Sequence, residues 1–149
     1  MRRATGLVVI VALAAAGLAL GSCIEEAEEK SATAQFTVWC RVRDAAGAPV
    51  NGKFVSFSSA KYDYDGLIIE HSVFESGKTT TSLDPSHPGA VSFQVGYTLH
   101  QKGDEAETAE FVCSVPGPGG ADIEAGFTAN YEIVRLSALI EHELTLQLP

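Results

Sequence analysis

Polar and apolar side chains alternate strictly in the segment QFTVWCRVR, residues 35–43, and this pattern limits the fold more than any other in the chain. Successive side chains of an extended strand point to opposite faces, so a period of two predicts a half-buried β-strand. Trp39 and Arg41 fall on the outer face of this strand. The apolar face, which we expect to lie against a core, carries Phe36, Val38, Cys40 and Val42.

Further strand candidates follow at short intervals and are separated by turn residues. They are KFVSFSS (53–59), GLIIEHSVF (66–74), GAVSFQVGY (89–97), TAEFVCSV (108–115), GFTANYEIVRLS (126–137) and ALIEHELTLQL (138–148). No segment shows a sustained helical period, and the best helix candidate, KGDEAETAEF (102–111), is read as a loop that runs into a strand. About seven strands with frequent turns predict an all-β, antiparallel β-sandwich over residues 35–149.

The N-terminal segment has the layout of a secretory leader. Arg2 and Arg3 precede the apolar run LVVIVALAAAGLAL, residues 7–20. This run has the length of a secretory h-region rather than of a full bilayer span, so we predict a signal peptide over residues 1–22. The alternative is an uncleaved anchor, because the uncharged stretch 4–24 is long enough to cross a thin bilayer with some tilt.

The end of the leader, LGSC at residues 20–23, resembles the lipobox of bacterial lipoprotein signal peptides. The resemblance implies that the Cys23 thiol is diacylated and that the peptide is cut just before it. Each buried CH₂ contributes about 0.8 kcal/mol, so two or three acyl chains hold a protein to a membrane durably. Ile24 follows the cysteine, which in a Gram-negative cell resembles the sorting pattern for the outer membrane.

Charge separates the leader from the rest of the chain. The run IEEAEEK begins directly after Cys23, and we interpret residues 23–34 as a short solvated acidic tether, because clustered carboxylates repel one another. The whole chain has a formal net charge of −9. Such a surface repels nucleic acid and anionic headgroups, so we expect no nucleic-acid partner and a membrane contact made through the acyl anchor.

Two cysteines remain once Cys23 is assigned to the anchor. Cys113 shares one face of its predicted strand with Phe111 and Val115, just as Cys40 shares a face with apolar residues. In an exported chain, two such residues are read as a disulfide, and we predict a Cys40–Cys113 bridge between two sheets. A metal or catalytic role would need a nearby histidine or acid partner that the sequence does not display.

Two longer segments are similar to known modules. FTVWCRVRDAAGAPVNGKFVSFSS (36–59) is similar to the opening of bacterial Ig-like domains of the invasin and intimin kind and of carboxypeptidase-regulatory-like modules. TTTSLDPSHPGAVSFQV (79–95) resembles their second hallmark, in which Thr-rich residues and an Asp turn precede an alternating strand. The resemblance implies an Ig-like or fibronectin-like sandwich that acts as a binding or spacer module and is rarely catalytic.

Exposed aromatic residues are the main indication of a binding surface. Trp39 and Arg41 on the outer strand face, with Tyr62 and Tyr64 in the YDYDG loop, are residue types that commonly anchor interfaces. We therefore expect a partner that is another envelope protein or a polysaccharide. The alternative for Trp39 is that it packs under the tether or the last strand, and a passive spacer then becomes an option.

Catalytic and metal-site motifs are weak or absent in the sequence. Asp63 and Asp65 supply two oxygen ligands of the kind Ca²⁺ takes, but a full site needs six or more oxygens, and we favour the interpretation of an acidic turn flanked by two tyrosines. Asp84 and Asp104 would add ligands only if folding joined their loops. The four histidines lack the paired spacing of zinc sites, and we find neither a nucleophile elbow nor a P-loop. We expect no cofactor and no enzyme activity, with a Ca²⁺-dependent ligand carrier or an enzyme outside the cytosol as the alternative.

Overall fold

The structure, a computed structural model, describes residues 27–79 and 85–149. Cys23, the predicted signal peptide 1–22 and Asp84 lie outside the described residues. Within the described residues the chain forms mainly strands and one α-helix, α1 (Tyr131–Leu136). The strands are β1 (Glu29–Arg43), β2 (Phe54–Tyr62), β3 (Ile68–Lys78), β4 (Ala90–Lys102), β5 (Glu105–Ala106), β6 (Thr108–Pro116), β7 (Asp122–Asn130) and β8 (Leu139–Gln147).

The strands form two four-stranded sheets that pack face to face. The first sheet has the order β5-β4-β1-β8, and the second has the order β3-β2-β6-β7. The predicted all-β sandwich is confirmed. One pair departs from the antiparallel arrangement, because β8 runs parallel to β1 from Leu139 beside Gln35 to Gln147 beside Arg43. Helix α1 lies between β7 and β8, and it carries the chain from the second sheet to the edge of the first.

The core lies between the sheets and is joined by the predicted disulfide, which is confirmed. Cys40 on β1 and Cys113 on β6 are fully buried, and their Cα atoms lie 6.0 Å apart. Aromatic rings fill the space around the bridge. The ring centroids of Phe36 and Phe111 are 4.6 Å apart, and those of Phe57 and Phe93 are 4.8 Å apart. Each of these pairs joins one sheet to the other, so the apolar face predicted from alternation is the core face.

Strand β1 begins at Glu29, before the predicted start of the folded domain at Gln35. Residues 29–34 were expected to form part of the tether, but the structure pairs them with β4, from Glu29 beside Lys102 onward. Ala34 is 1% exposed, and the hydroxyls of Thr33 and Thr98 lie 2.7 Å apart across the pair. The backbone hydrogen bonds of this long ladder stabilise the strand although its first six residues lack the alternation of the rest.

Residues 126–137 were expected to form one strand, and this prediction was wrong in its second half. Strand β7 ends at Asn130, whose side-chain oxygen accepts a hydrogen bond from the Ile133 amide at 3.1 Å. This N-cap starts α1, which buries Tyr131 and Val134 on one face. No helix in the described parts of the chain has the length and hydropathy to span a membrane.

Candidate binding site

The four predicted contact residues lie in two separate places. Trp39 and Arg41 are on the outer face of the first sheet, next to β8. Tyr62 and Tyr64 are at the end of the sandwich where β1 begins, and the Tyr64 hydroxyl donates a hydrogen bond to Glu29 Oε1 at 3.0 Å. Because a strand rises about 3.3 Å per residue, roughly 30 Å separates Glu29 from Trp39 along β1. The four residues therefore do not form one patch.

Trp39 is half-buried, and a segment that the sequence did not suggest covers one face of its ring. Residues 85–89, which we name the strap, pass over the outer face of the first sheet. The imidazole of His87 stacks on the indole with ring centroids 4.0 Å apart and planes 2° from parallel. At its end, the strap is fixed by a hydrogen bond from the Val42 amide to the Gly89 carbonyl at 2.9 Å. Within the described residues, the ring that stacks on the indole is thus His87 of the strap.

Arg41 is a buried ion-pair partner rather than an open contact residue. It is 9% exposed, and its Nη2 lies 2.6 Å from Glu143 Oε2 on β8. The same Nη2 donates a long hydrogen bond of 3.4 Å to the carbonyl oxygen of Ser86 in the strap. Removing a guanidinium from water is costly unless a carboxylate pairs with it, so the ion pair with Glu143 offsets the cost of burying Arg41. We name Trp39, Arg41, His87 and Glu143 the Trp39 site.

Two hydrogen-bond donors of the Trp39 site have no acceptor. Among the described residues, the buried side-chain atoms without a hydrogen-bond partner are Trp39 Nε1 and Arg41 Nε. Leaving a buried donor unsatisfied costs about 1–3 kcal/mol, and native proteins have few such groups. Both lie on neighbouring outward positions of one strand. Among the described residues, hydrogen bonding of buried side chains is therefore incomplete at the Trp39 site.

The two tyrosines are engaged by carboxylates of the chain itself. The Tyr62 hydroxyl donates to Glu110 Oε2 at 2.7 Å, and this hydrogen bond, together with burial, raises the pKa of Tyr62. Burial and the hydrogen bond to Glu29 raise the pKa of Tyr64 to about 12. The hydroxyl groups of both tyrosines are thus hydrogen-bonded within the chain. The Trp39 site, which keeps two donors without an acceptor among the described residues, is the stronger candidate surface.

The YDYDG loop has the geometry of an acidic turn. Asp63 Oδ1 accepts hydrogen bonds from the amide of Asp65 at 3.0 Å and from the amide of Leu67 at 2.7 Å. Gly66 completes the turn with a φ of +78°, a conformation that side chains disfavour. No group of three or more His, Cys, Asp or Glu side chains able to hold a metal ion occurs in residues 27–79 and 85–149.

Lys61, His100 and Glu107 form a polar cluster that the sequence analysis did not predict. Lys61 on β2 lies with its Nζ 2.7 Å from Glu107 Oε2, and His100 Nδ1 on β4 lies 2.8 Å from the same oxygen. The His100 amide donates to that oxygen at 2.9 Å as well. The strand period of two could have indicated that Lys61 points inward, because Lys61 lies four positions after the inward-facing Phe57. The sequence could not indicate that Glu107 pairs with Lys61, since the two residues are far apart in the chain.

This cluster predicts a loss of stability in acid. Burial alone would raise the pKa of the Glu107 carboxyl, but hydrogen bonds from Lys61 and His100 outweigh burial and hold the pKa below its usual value. A carboxyl with a lowered pKa stabilises the fold above the unfolded value of about 4.3 and loses that contribution as the pH falls through the folded pKa. Glu107→Gln should lower the free energy of unfolding by about 2 kcal/mol at pH 7. It should also flatten the acid limb, which is the fall in the free energy of unfolding as the pH drops below about 4.3.

Urea unfolding at a series of pH values between neutrality and acid measures this effect. Glu105→Gln is the matched control, because Glu105 is exposed and close in the chain, and its acid limb should follow the wild type. An unchanged acid limb in Glu107→Gln would contradict the assignment.

Comparisons with known proteins return no match, since no family model, no curated protein and no solved structure is significantly similar to this chain.

Proposed function

We propose that this chain is a lipid-anchored, non-catalytic binding or accessory module of the bacterial cell envelope, held outside the cytosol by acylated Cys23. The observation that carries the proposal is the buried Cys40–Cys113 bridge. Disulfides of this kind persist in oxidising compartments and are rare in the cytosol, which agrees with the leader predicted for residues 1–22. An outer-membrane location is the form of this proposal that Ile24 favours in a Gram-negative cell.

The Trp39 site is the surface through which the module would bind. Tryptophan, tyrosine and arginine are enriched among interface anchors, and Trp39 and Arg41 occupy neighbouring outward positions of β1, beneath the strap. The partner would be an envelope protein or a polysaccharide. Nucleic acid does not fit, because the chain has a net charge of −9.

The anchor and the binding surface are tested together with three forms of the full chain. Wild type and Trp39→Ala should fractionate with membranes, and their intact masses should lack residues 1–22 and include acyl chains. Cys23→Ser should carry no acyl chain and should retain residues 1–22, because the cut is expected only before the acylated cysteine. A wild-type mass that includes residues 1–22 without a lipid, or a processed Cys23→Ser chain that still fractionates with membranes, would contradict the anchor.

Binding is read from a pull-down of cross-linked, detergent-solubilised envelopes. Wild type should enrich a partner, and Trp39→Ala should lose that enrichment, because truncating an anchor residue costs more than about 2 kcal/mol. Leu136→Ala is the control, since Leu136 is 74% exposed on α1, away from the Trp39 site. Equal enrichment by Trp39→Ala would favour the passive spacer, and no enrichment above background would contradict a binding role.

A further inference from the structure

We propose that the Trp39 site binds the pyranose ring of a glycan and that the strap, residues 85–89, covers this site in the ligand-free protein. His87 then occupies the place of the sugar ring on the indole. The inference rests on the proposed binding function and narrows it to one ligand class. It also adds a step, because the strap must move before the ligand binds.

The stacking geometry indicates the shape of the ligand. The His87 ring lies nearly parallel to the indole with ring centroids 4.0 Å apart, so the face of Trp39 that His87 covers accepts a flat group. Flat groups that stack on tryptophan include aromatic rings, the guanidinium of arginine and the C–H face of a pyranose. The polar and charged neighbours of Trp39 decide among these groups.

The hydrogen-bonding groups of the site match a sugar rather than an aromatic ring. Trp39 Nε1 and Arg41 Nε are buried donors that lack an acceptor in the described residues. A hydroxyl group accepts a hydrogen bond from such a donor and also donates one, and Glu143 supplies a carboxylate that accepts it. An aromatic side chain has at most one hydroxyl group, which is too few to pair with both donors and the carboxylate. A polyhydroxylated ring therefore satisfies the whole set.

Charge argues for a neutral sugar. Arg41 and Glu143 already neutralise each other across 2.6 Å. An anionic ligand would compete with Glu143 for the guanidinium, and a cationic ligand would compete with Arg41 for the carboxylate. A neutral polyol leaves the ion pair in place and adds hydrogen bonds around it.

The contacts of the strap with the ion pair are long. The bond from Arg41 Nη2 to the Ser86 carbonyl measures 3.4 Å, and His87 Nε2 lies 4.0 Å from Glu143 Oε2. Good N–H···O bonds measure about 2.7–3.2 Å, so neither contact is a strong hydrogen bond. The Gly89 carbonyl accepts a hydrogen bond from the Val42 amide at 2.9 Å. In this proposal, Gly89 would be the fixed point about which residues 85–88 move when a ligand binds.

Trp39 is the one tryptophan of the chain, so its fluorescence reports directly on the site. The experiment titrates the full chain with cellotetraose and with the tetramer of N-acetylglucosamine. The chain is kept in lauryldimethylamine oxide micelles, because detergents with sugar headgroups would compete. The forms compared are wild type, His87→Ala, Trp39→Phe and the control His71→Ala, which removes an exposed histidine of β3. Calorimetry replaces fluorescence for Trp39→Phe, and thermal melts confirm that each form is folded.

At least one oligosaccharide should bind His87→Ala about tenfold more tightly than wild type, because removing the cover removes the cost of opening. Trp39→Phe should lose most of this affinity, and His71→Ala should behave like wild type. Equal affinity in wild type and His87→Ala would overturn the role of the strap. No response of His87→Ala to millimolar concentrations of either sugar would overturn the ligand class. Trp39-dependent capture of an envelope protein without a sugar response would overturn this inference and leave the proposed function standing.

Discussion

Replacing both Cys40 and Cys113 with alanine is expected to lower the free energy of unfolding by about 4 kcal/mol. The two residues are 73 positions apart in the sequence, so the bridge closes a long loop in the unfolded chain. In the chain-entropy model, the stabilisation grows with the length of that loop. Both side chains are fully buried between the two sheets, and the loss of two sulfur atoms from the core adds to the effect.

Urea unfolding in a Cys23→Ser background measures this loss without interference from a third thiol. Reduction of the parent protein with dithiothreitol should produce most of the same loss, whereas the double alanine variant should be insensitive to the reductant. A parent protein with the same stability before and after reduction would show that the bridge does not stabilise the fold.

Phe111→Ala is expected to destabilise the protein by about 3–5 kcal/mol, the usual range for removing a buried phenylalanine. Phe111 is fully buried on β6, and its ring is the centre of the aromatic core. The centroid of its ring lies 4.6 Å from that of Phe36 and 4.7 Å from that of Phe127. It also meets the edge of Tyr97 at 5.9 Å. Alanine at this position leaves a cavity between the sheets that tightly packed neighbours cannot close.

Phe54→Ala is the matched control, because the same atoms are removed from a side chain that is 58% exposed. Its cost should stay within about 1 kcal/mol. Thermal and urea unfolding of both variants give the comparison. Similar losses for the two substitutions would contradict the placement of Phe111 in the core.

Sequence patterns predicted those parts of the fold that residues close in the chain determine, such as which face of a strand points inward. The alternation through Cys40 and the alternation through Cys113 each fixed an inward face, and their agreement predicted the disulfide. Other features depend on distant pairing. The start of β1 at Glu29 requires a long β4 beside it, and the sequence 29–34 shows two residues of opposite charge followed by small residues rather than a strand pattern. Helix α1 was missed because six residues are too few to show a helical period.

The candidate site was predictable in part. The outward direction of Trp39 and Arg41 followed from the strand period, but the strap that covers them did not, because the stacking of His87 on Trp39 joins residues far apart in the chain. Pairing Tyr62 and Tyr64 with Trp39 was the weaker inference. Composition suggested one aromatic surface, whereas the topology puts these residues at different ends of β1.

The start of β1 at Glu29 determines how far a Cys23-anchored molecule reaches from its bilayer. Chain segments extend by at most about 3.3–3.6 Å per residue, so the segment between Cys23 and Glu29 spans no more than roughly 20 Å. In a molecule anchored through Cys23, the end of the domain that carries Tyr62 and Tyr64 would therefore lie close to the lipid. Trp39 would lie up to about 30 Å further along β1 than Glu29.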